Sequence, residues 1–130
     1  MADEIHDGGC LCGAVRYRFS GEPEESAWCH CRSCRLATGA PAVAFLGLDR
    51  ARFAWTAREP SYHVSSPGVR RGFCPTCGTA LSYEAERKAE VIDIHTATLD
   101  DPDRFPPTGT SYGEERLAWF PATGAHTGTS

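Results

Sequence analysis

The chain has 130 residues, of which 41% are hydrophobic and 23% are charged, a composition typical of one soluble globular domain. Thirteen basic and seventeen acidic side chains give a formal charge of −4, which argues against nucleic-acid binding through phosphates. No apolar run approaches the roughly 18 residues of a membrane span, and the acidic N-terminal residues lack the apolar centre of a signal peptide. We therefore expect a cytoplasmic protein that binds no membrane.

Short strands joined by turns are the predicted architecture, because 13 glycines and 9 prolines are many for a helical bundle. Each predicted strand alternates apolar with polar residues or forms a short β-branched run. In chain order, the strands are expected near residues 15–20, 42–48, 53–55, 62–64, 81–83 and 91–96. One helical turn is expected over residues 33–38, and Leu117, Trp119 and Phe120 form a last apolar patch.

The pattern predicts a single all-β domain over residues 5–120, with flexible ends at residues 1–4 and 121–130. The acidic residues 22–25 are interpreted as a solvated turn rather than a site. Residues 100–107, which are rich in aspartate and proline, are interpreted as a long surface loop.

Seven cysteines are the most informative feature of the sequence. They fall into three groups: Cys10 and Cys12; Cys29, Cys31 and Cys34; Cys74 and Cys77. A disulfide framework requires an oxidising compartment and would leave one thiol unpaired. Buried apolar thiols are a second alternative, but scattered core cysteines rarely cluster in this way. The short spacing within each group instead allows thiolates to converge on one metal ion.

Zinc is the favoured metal, with an iron–sulfur or rubredoxin-like iron site as the alternative, because soft thiolate ligands select these centres. Two groups together provide four ligands, Cys10, Cys12, Cys74 and Cys77, which would close a tetrahedral structural site. The middle group provides three, Cys29, Cys31 and Cys34, and leaves a fourth position for water or a substrate thiol. A histidine could close this site instead. His30 would point away from its cysteine neighbours in an extended chain, so His95 is the more credible candidate.

The residues around the cysteines resemble a known family. The resemblance lies in four segments: residues 8–17, residues 29–41, residues 71–81, and the C-terminal residues 99–102 with Trp119 and Phe120. It is to the glutathione-dependent formaldehyde-activating enzyme family, which shares its domain with centromere protein V. Three ordered cysteine motifs with matching flanks are much more specific than any one of them.

The resemblance implies a β-tent of stacked antiparallel sheets with zinc knuckles at strand ends. It implies two zinc ions per chain, one structural at Cys10, Cys12, Cys74 and Cys77, and one catalytic at Cys29, Cys31 and Cys34. It also implies a carbon–sulfur lyase that adds glutathione, its co-substrate, to a small aldehyde. With formaldehyde the product would be S-hydroxymethylglutathione.

Glutathione carries two carboxylates, and four arginines flank the cysteine groups and could pair with them. These arginines are Arg32, Arg35, Arg70 and Arg71. The alternative is that they are ordinary solvated surface side chains. Members of the family often carry a histidine after the proline-rich loop, whereas residues 107–112 contain none here.

A non-catalytic role is the competing hypothesis. A zinc-stapled β domain could bind glutathione without turnover, or serve as a protein-interaction module. The chain shows no basic extension, linker or second domain that would recruit a partner, so we favour the enzyme.

Overall fold

The computed structural model describes residues 3–121, which form ten strands, one α-helix and several 3₁₀ turns. The elements are β1 (Ile5–Gly9), β2 (Arg16–Ser20), β3 (Glu25–Cys29), α1 (Arg32–Thr38), β4 (Val43–Asp49), β5 (Phe53–Trp55), β6 (Ser61–Ser66), β7 (Val69–Phe73), β8 (Ala80–Ala85), β9 (Val91–His95) and β10 (Gly109–Ser111). None of the helices in this part of the chain is long and apolar enough to cross a membrane.

The strands form two sheets. The small sheet has the order β1-β2-β5, and the large sheet has the order β10-β3-β4-β9-β8-β7-β6. Neighbouring strands are antiparallel except for β10, which pairs parallel to β3 at one edge. The predicted fold class, a mostly β protein of stacked antiparallel sheets with cysteines at strand ends, is confirmed.

The hydrophobic core contains residues from both sheets. Tyr17 and Phe19 of β2 pack in one cluster with the buried leucines of β4 and isoleucines of β9. Side chains alternate along a strand, so burial of Leu46 and Leu48 turns the intervening Gly47 to the other face of the large sheet. That other face carries the candidate site described below.

The predicted strands and the helical turn are confirmed, but four strands were missed: β1, β3, β7 and β10. The acidic segment at residues 22–25 is not only a turn, because Glu25 begins β3 and pairs with Gly47. Strand β1 pairs with β2 from Ile5 onward, and its His6 ring lies 5.0 Å from that of Phe19. Of the expected flexible ends, residues 1–2 and 122–130 lie outside the described residues.

The apolar patch near the C-terminal end is only partly buried. The Phe120 ring packs 5.4 Å from that of Trp28 and 5.1 Å from that of His30. Trp119, in contrast, is 72% exposed. Phe120 therefore covers the residues that lead from β3 into α1, where three of the cysteines lie.

Candidate metal centres and the adjoining cleft

The four-cysteine group connects the ends of two strands that are distant in sequence. Cys10 and Cys12 follow β1, and Cys74 and Cys77 follow β7. Their four Sγ atoms lie within 4.8 Å of one another. The Cys10–Cys12 and Cys12–Cys74 sulfur distances are 3.6 and 3.8 Å. The predicted grouping of these residues is observed, and the four sulfur atoms could together hold a metal ion.

Two tight turns shape this group. The N–H of Gly13 donates to the Cys10 carbonyl at 3.1 Å, and the N–H of Gly78 donates to the Cys74 carbonyl at 2.8 Å. Both glycines have φ near +80°, at +82° and +84°, in the left-handed region where a side chain would be strained. The turns also direct the Cys77 N–H to Cys74 Sγ at 3.4 Å. Such N–H···S contacts favour a negatively charged sulfur.

Hydrogen bonding favours the thiolate form at Cys77 of this group. Thr79 Oγ1 lies 3.2 Å from Cys77 Sγ, and this hydrogen bond lowers the pKa of the Cys77 thiol to about 5. Cys10 and Cys74 are buried, whereas Cys12 is exposed and Cys77 is half-buried. With four thiolates converging on one point, the group would leave no position for an external ligand in a tetrahedral centre.

The three-cysteine group lies where β3 passes into α1. Cys29 ends β3, Cys31 is the N-cap of α1, and Cys34 lies in its first turn. The Cys34 N–H donates to Cys31 Sγ at 3.3 Å, so a sulfur replaces the oxygen that usually caps a helix. The Sγ atoms of Cys29 and Cys34 are 3.6 Å apart. These three sulfur atoms could also hold a metal ion.

No histidine belongs to this three-sulfur group within residues 3–121. His30 is fully buried, and its ring stacks edge-on against Phe120 rather than joining the cysteines on either side. The His95 ring packs 4.7 Å from that of Phe45. Burial, together with the positive charge of Arg71, lowers the pKa of His95 to about 4. The fourth position of the three-cysteine group is therefore open among the described residues.

A cleft of about 350 Å³ opens beside the three-cysteine group, on the face of the large sheet that points away from the core. Five residues form one row of cross-strand neighbours: Glu25, Gly47, Asp93, Tyr83 and Arg71. Residues directly opposite each other in antiparallel strands share a face. The side chains of Glu25, Asp93, Tyr83 and Arg71 line the cleft. Gly47 lets two of them approach closely, because a Cβ at this position would lie 3.3 Å from Asp93 Oδ1 and 3.4 Å from Glu25 Cβ.

The four predicted arginines do not all reach the cleft. Arg32 and Arg71 line it. Arg70, the neighbour of Arg71 in β7, points to the opposite face and donates to the buried carboxylate of Glu84 at 3.0 Å. Arg35 of α1 is not among the residues that line the cleft. Strand alternation separates Arg70 from Arg71, although the two are adjacent in sequence.

Arg71 contacts the three-cysteine group directly. Its Nη1 donates to Cys34 Sγ at 3.6 Å. The hydrogen bond from the Cys29 thiol, with a contribution from Arg71, lowers the pKa of Cys34 to about 5 despite burial. The same hydrogen bond and burial raise the pKa of Cys29. The contact with Arg71 therefore favours the thiolate form of Cys34.

Several residues of the cleft were not singled out from the sequence. Asp93 is buried, which raises the pKa of its carboxyl, and Lys88 Nζ lies 3.4 Å from its Oδ2. Tyr112 has φ +57°, rare for a residue with a side chain, and lies at the rim of the cleft where residues 107–112 lack the family's histidine. Asp93 could have been found, because it alternates with the core residues Ile92 and Ile94. No sequence signal indicated Tyr112.

The fold and the two cysteine groups define a mostly β protein with two candidate metal centres, one closed and one open to a cleft. A model of the family described as glutathione-dependent formaldehyde-activating enzyme matches residues 5–115. The chain therefore belongs to this family.

Three individual proteins are similar to the chain. One is a lyase of Schizosaccharomyces pombe named as uncharacterised, 31% identical over 60% of this chain and 56% of that protein. Another, from Halomonas elongata, is named "Putative glutathione-dependent formaldehyde-activating enzyme" and is 30% identical over 78% of this chain and 69% of that protein. The chain thus spans little more than half the length of the yeast lyase. The third is a Rhodobacter sphaeroides protein of known crystal structure. The match covers 81% of this chain and 99% of that protein, with a TM-score of 0.61 and 20% sequence identity, so the two proteins share a fold.

Proposed function

We propose that the protein is a zinc-dependent carbon–sulfur lyase that adds glutathione to a small aldehyde of the size of formaldehyde, giving an S-hydroxyalkyl glutathione. The observation that carries this proposal is the three-cysteine group, which has an open fourth position beside a cleft. Membership of the glutathione-dependent family supports glutathione as the thiol.

The donor set fits zinc at both groups. Four sulfur atoms placed tetrahedrally at roughly 2.3 Å from zinc are about 3.8 Å apart from one another. The observed sulfur distances, 3.6 and 3.8 Å in the four-cysteine group and 3.6 Å in the three-cysteine group, are close to this value. They are also much longer than the roughly 2.05 Å of a disulfide. We assign a structural zinc ion to the first group and a catalytic zinc ion to the second.

A bound zinc ion supplies Lewis acidity, which lowers the pKa of a thiol that coordinates it. In the addition, the sulfur of glutathione forms a bond to the carbonyl carbon. The π-electron pair of the carbonyl moves to its oxygen, which takes up the proton that the thiol has lost. The cleft holds both reactants side by side, which converts a bimolecular addition into a positioned one. The reverse reaction breaks the carbon–sulfur bond.

Residues of the chain account for substrate orientation and proton exchange. Arg32 and Arg87 both line the cleft, and each is suited to a glutathione carboxylate. The Asp93–Lys88 pair, with Oδ2 and Nζ 3.4 Å apart, can exchange the proton with the new hydroxyl oxygen. The cleft volume of about 350 Å³ is at the small end for ligand pockets, which favours a small aldehyde.

Turnover with glutathione and formaldehyde tests the proposal. Because the two react spontaneously, the rate with protein must exceed the protein-free rate and must saturate with glutathione. Cys31→Ser should abolish the excess rate, and S-methylglutathione should support no reaction. Leu36→Ala, a change at an exposed position of the same helix that does not line the cleft, is the matched control and should retain the rate.

Two other outcomes would contradict the proposed enzymatic function. Glutathione binding without any excess rate, with formaldehyde or other small aldehydes, would support a non-catalytic glutathione-binding module. If the metal-replete protein does not bind glutathione, glutathione is excluded as its ligand. Only the metal-stabilised β fold would then be retained, and a protein-interaction role would be preferred.

A further inference from the structure

We propose that Arg71 is a positioning residue of the three-cysteine centre: its guanidinium compensates the charge of the sulfur ligands and so allows an anionic fourth ligand to join them. The inference rests on the proposed function, in that the fourth position of this centre is taken to receive a thiolate. In this role Arg71 interacts with a cysteine sulfur atom of the centre and not with a carboxylate of the substrate.

The placement of Arg71 follows from the register of the large sheet. Arg71 lies opposite Tyr83 of β8 and opposite His63 of β6, in the row of residues that faces the cleft. Three contacts fix its guanidinium. Nε donates to Ser65 Oγ at 3.3 Å, the central carbon lies 5.0 Å from the Tyr83 ring centroid, and Nη1 donates to Cys34 Sγ at 3.6 Å.

Within the described part of the chain, the charge of Arg71 has no carboxylate partner. Among residues 3–121, no aspartate or glutamate oxygen lies within ion-pair distance of Arg71, whereas its neighbour Arg70 is paired with Glu84. Arg71 is half-buried, so water screens its charge less than that of a surface arginine. A sulfur atom is therefore the anionic group that this guanidinium meets in the structure.

The charge balance of the centre explains why such a residue is needed. Three thiolates and one divalent ion have a net charge of about −1, and a fourth thiolate brings it to about −2. A second negative charge in a partly buried cleft is unfavourable unless a cation lies close by. Arg71 supplies that cation at the sulfur itself. The four-cysteine group, which already has four thiolates, needs no room for an external anion.

The experiment uses holoprotein with cobalt(II) in place of zinc, because thiolate coordination changes the visible spectrum of cobalt. Three ligands are titrated: glutathione; S-methylglutathione, which has the same carboxylates but no thiolate; and cyanide, a small anion with no carboxylate. Wild type is compared with Arg71→Gln, with Arg71→Lys, which keeps the charge, and with Arg70→Gln, the same change on the opposite face of β7. Cobalt content and far-UV circular dichroism establish that each variant is folded and loaded.

We expect Arg71→Gln to weaken glutathione and cyanide binding by about tenfold or more, in the range of other residues that support metal ligands. Affinity for S-methylglutathione should be unchanged, Arg71→Lys should recover part of the loss, and Arg70→Gln should behave as wild type. Unchanged affinity for cyanide in Arg71→Gln would overturn the inference. So would an equal loss for glutathione and S-methylglutathione, which would place Arg71 at a carboxylate. If wild type binds cyanide in an Arg71-dependent way but does not bind glutathione, the proposed function fails and the inference stands.

Discussion

Replacing one cysteine in each candidate metal centre should have very different effects on stability. Cys77→Ser and Cys31→Ser form a matched pair, because both residues are half-buried and each removes one sulfur ligand. The four-cysteine centre joins segments 62 residues apart, at Cys12 and Cys74, whereas Cys29 and Cys34 of the other centre are five residues apart. A crosslink that closes a longer loop removes more conformational entropy from the unfolded chain.

The size of the difference follows from the two loop lengths. Loop-closure entropy grows as (3/2)RT ln n, so closing a loop of 62 rather than five residues stabilises the folded state by about 2 kcal/mol more. For a domain of this size, 1 kcal/mol shifts the melting temperature by about 3–6 °C. We therefore expect metal-replete Cys77→Ser to melt about 6–12 °C below metal-replete Cys31→Ser.

Thermal unfolding followed by circular dichroism measures this difference. The same two variants, stripped of metal by a chelator, should melt within about 2 °C of each other, because neither then carries a crosslink. Equal melting temperatures in the metal-replete variants would refute the division into a structural and an open centre. A larger loss in Cys31→Ser would refute the loop argument itself.

Three further predictions concern metal content, a buried ion pair and pH. Elemental analysis of metal-replete protein should give about two zinc ions per chain, and a ratio near one or the presence of iron would contradict the assignment. Glu84→Gln should lower the free energy of unfolding, measured in urea titrations, by about 1–2 kcal/mol. The reason is that Glu84 Oε1 accepts hydrogen bonds from Arg50 and Arg70 at 3.0 Å, while the Glu84 side chain is only 9% exposed. A loss under about 0.5 kcal/mol would contradict this prediction. The pKa of His95 is about 4 in the folded protein and about 6.5 in an unfolded chain. Between these two values the unfolded state binds a proton at His95 and the folded state does not, so the free energy of unfolding should fall as the pH drops from about 6.5 towards about 4. His95→Gln should reduce this fall by up to about 3 kcal/mol, and an identical pH dependence in the variant would show that His95 is not the source.

Much of the sheet structure could be predicted from the sequence, because β4 and β9 bury one face and therefore have a visible pattern. Strand β1, with the sequence IHDGG, has no such alternation, and β10 has only three residues. Both are strands because a neighbour supplies hydrogen bonds, and that pairing is a tertiary property. Strand β7 was missed because Arg70 and Arg71 interrupt its apolar pattern, although each points to a different face.

The cysteine groups were predictable for a different reason. Metal ligands arrive in short motifs, so the sequence alone shows which thiols can meet at one ion. The cleft could not be predicted in this way. Its row of residues comes from five strands, and the order of these strands in the sheet cannot be inferred from the sequence. Asp93 and Glu25 are 68 positions apart and become neighbours only through Gly47.

Strand β7 connects the two candidate metal centres. Arg71 in this strand holds Cys34 of the open centre, and three residues later Cys74 enters the closed centre. Loss of an ion from the closed centre would remove the anchor at Cys74 and loosen the support for the open centre, although β7 would keep its pairing with β6 and β8. Loss from the open centre releases no comparable anchor, since β7 stays fastened at Cys74. Demetallation should therefore have a preferred order, in which a slow chelator empties the open centre before the closed one.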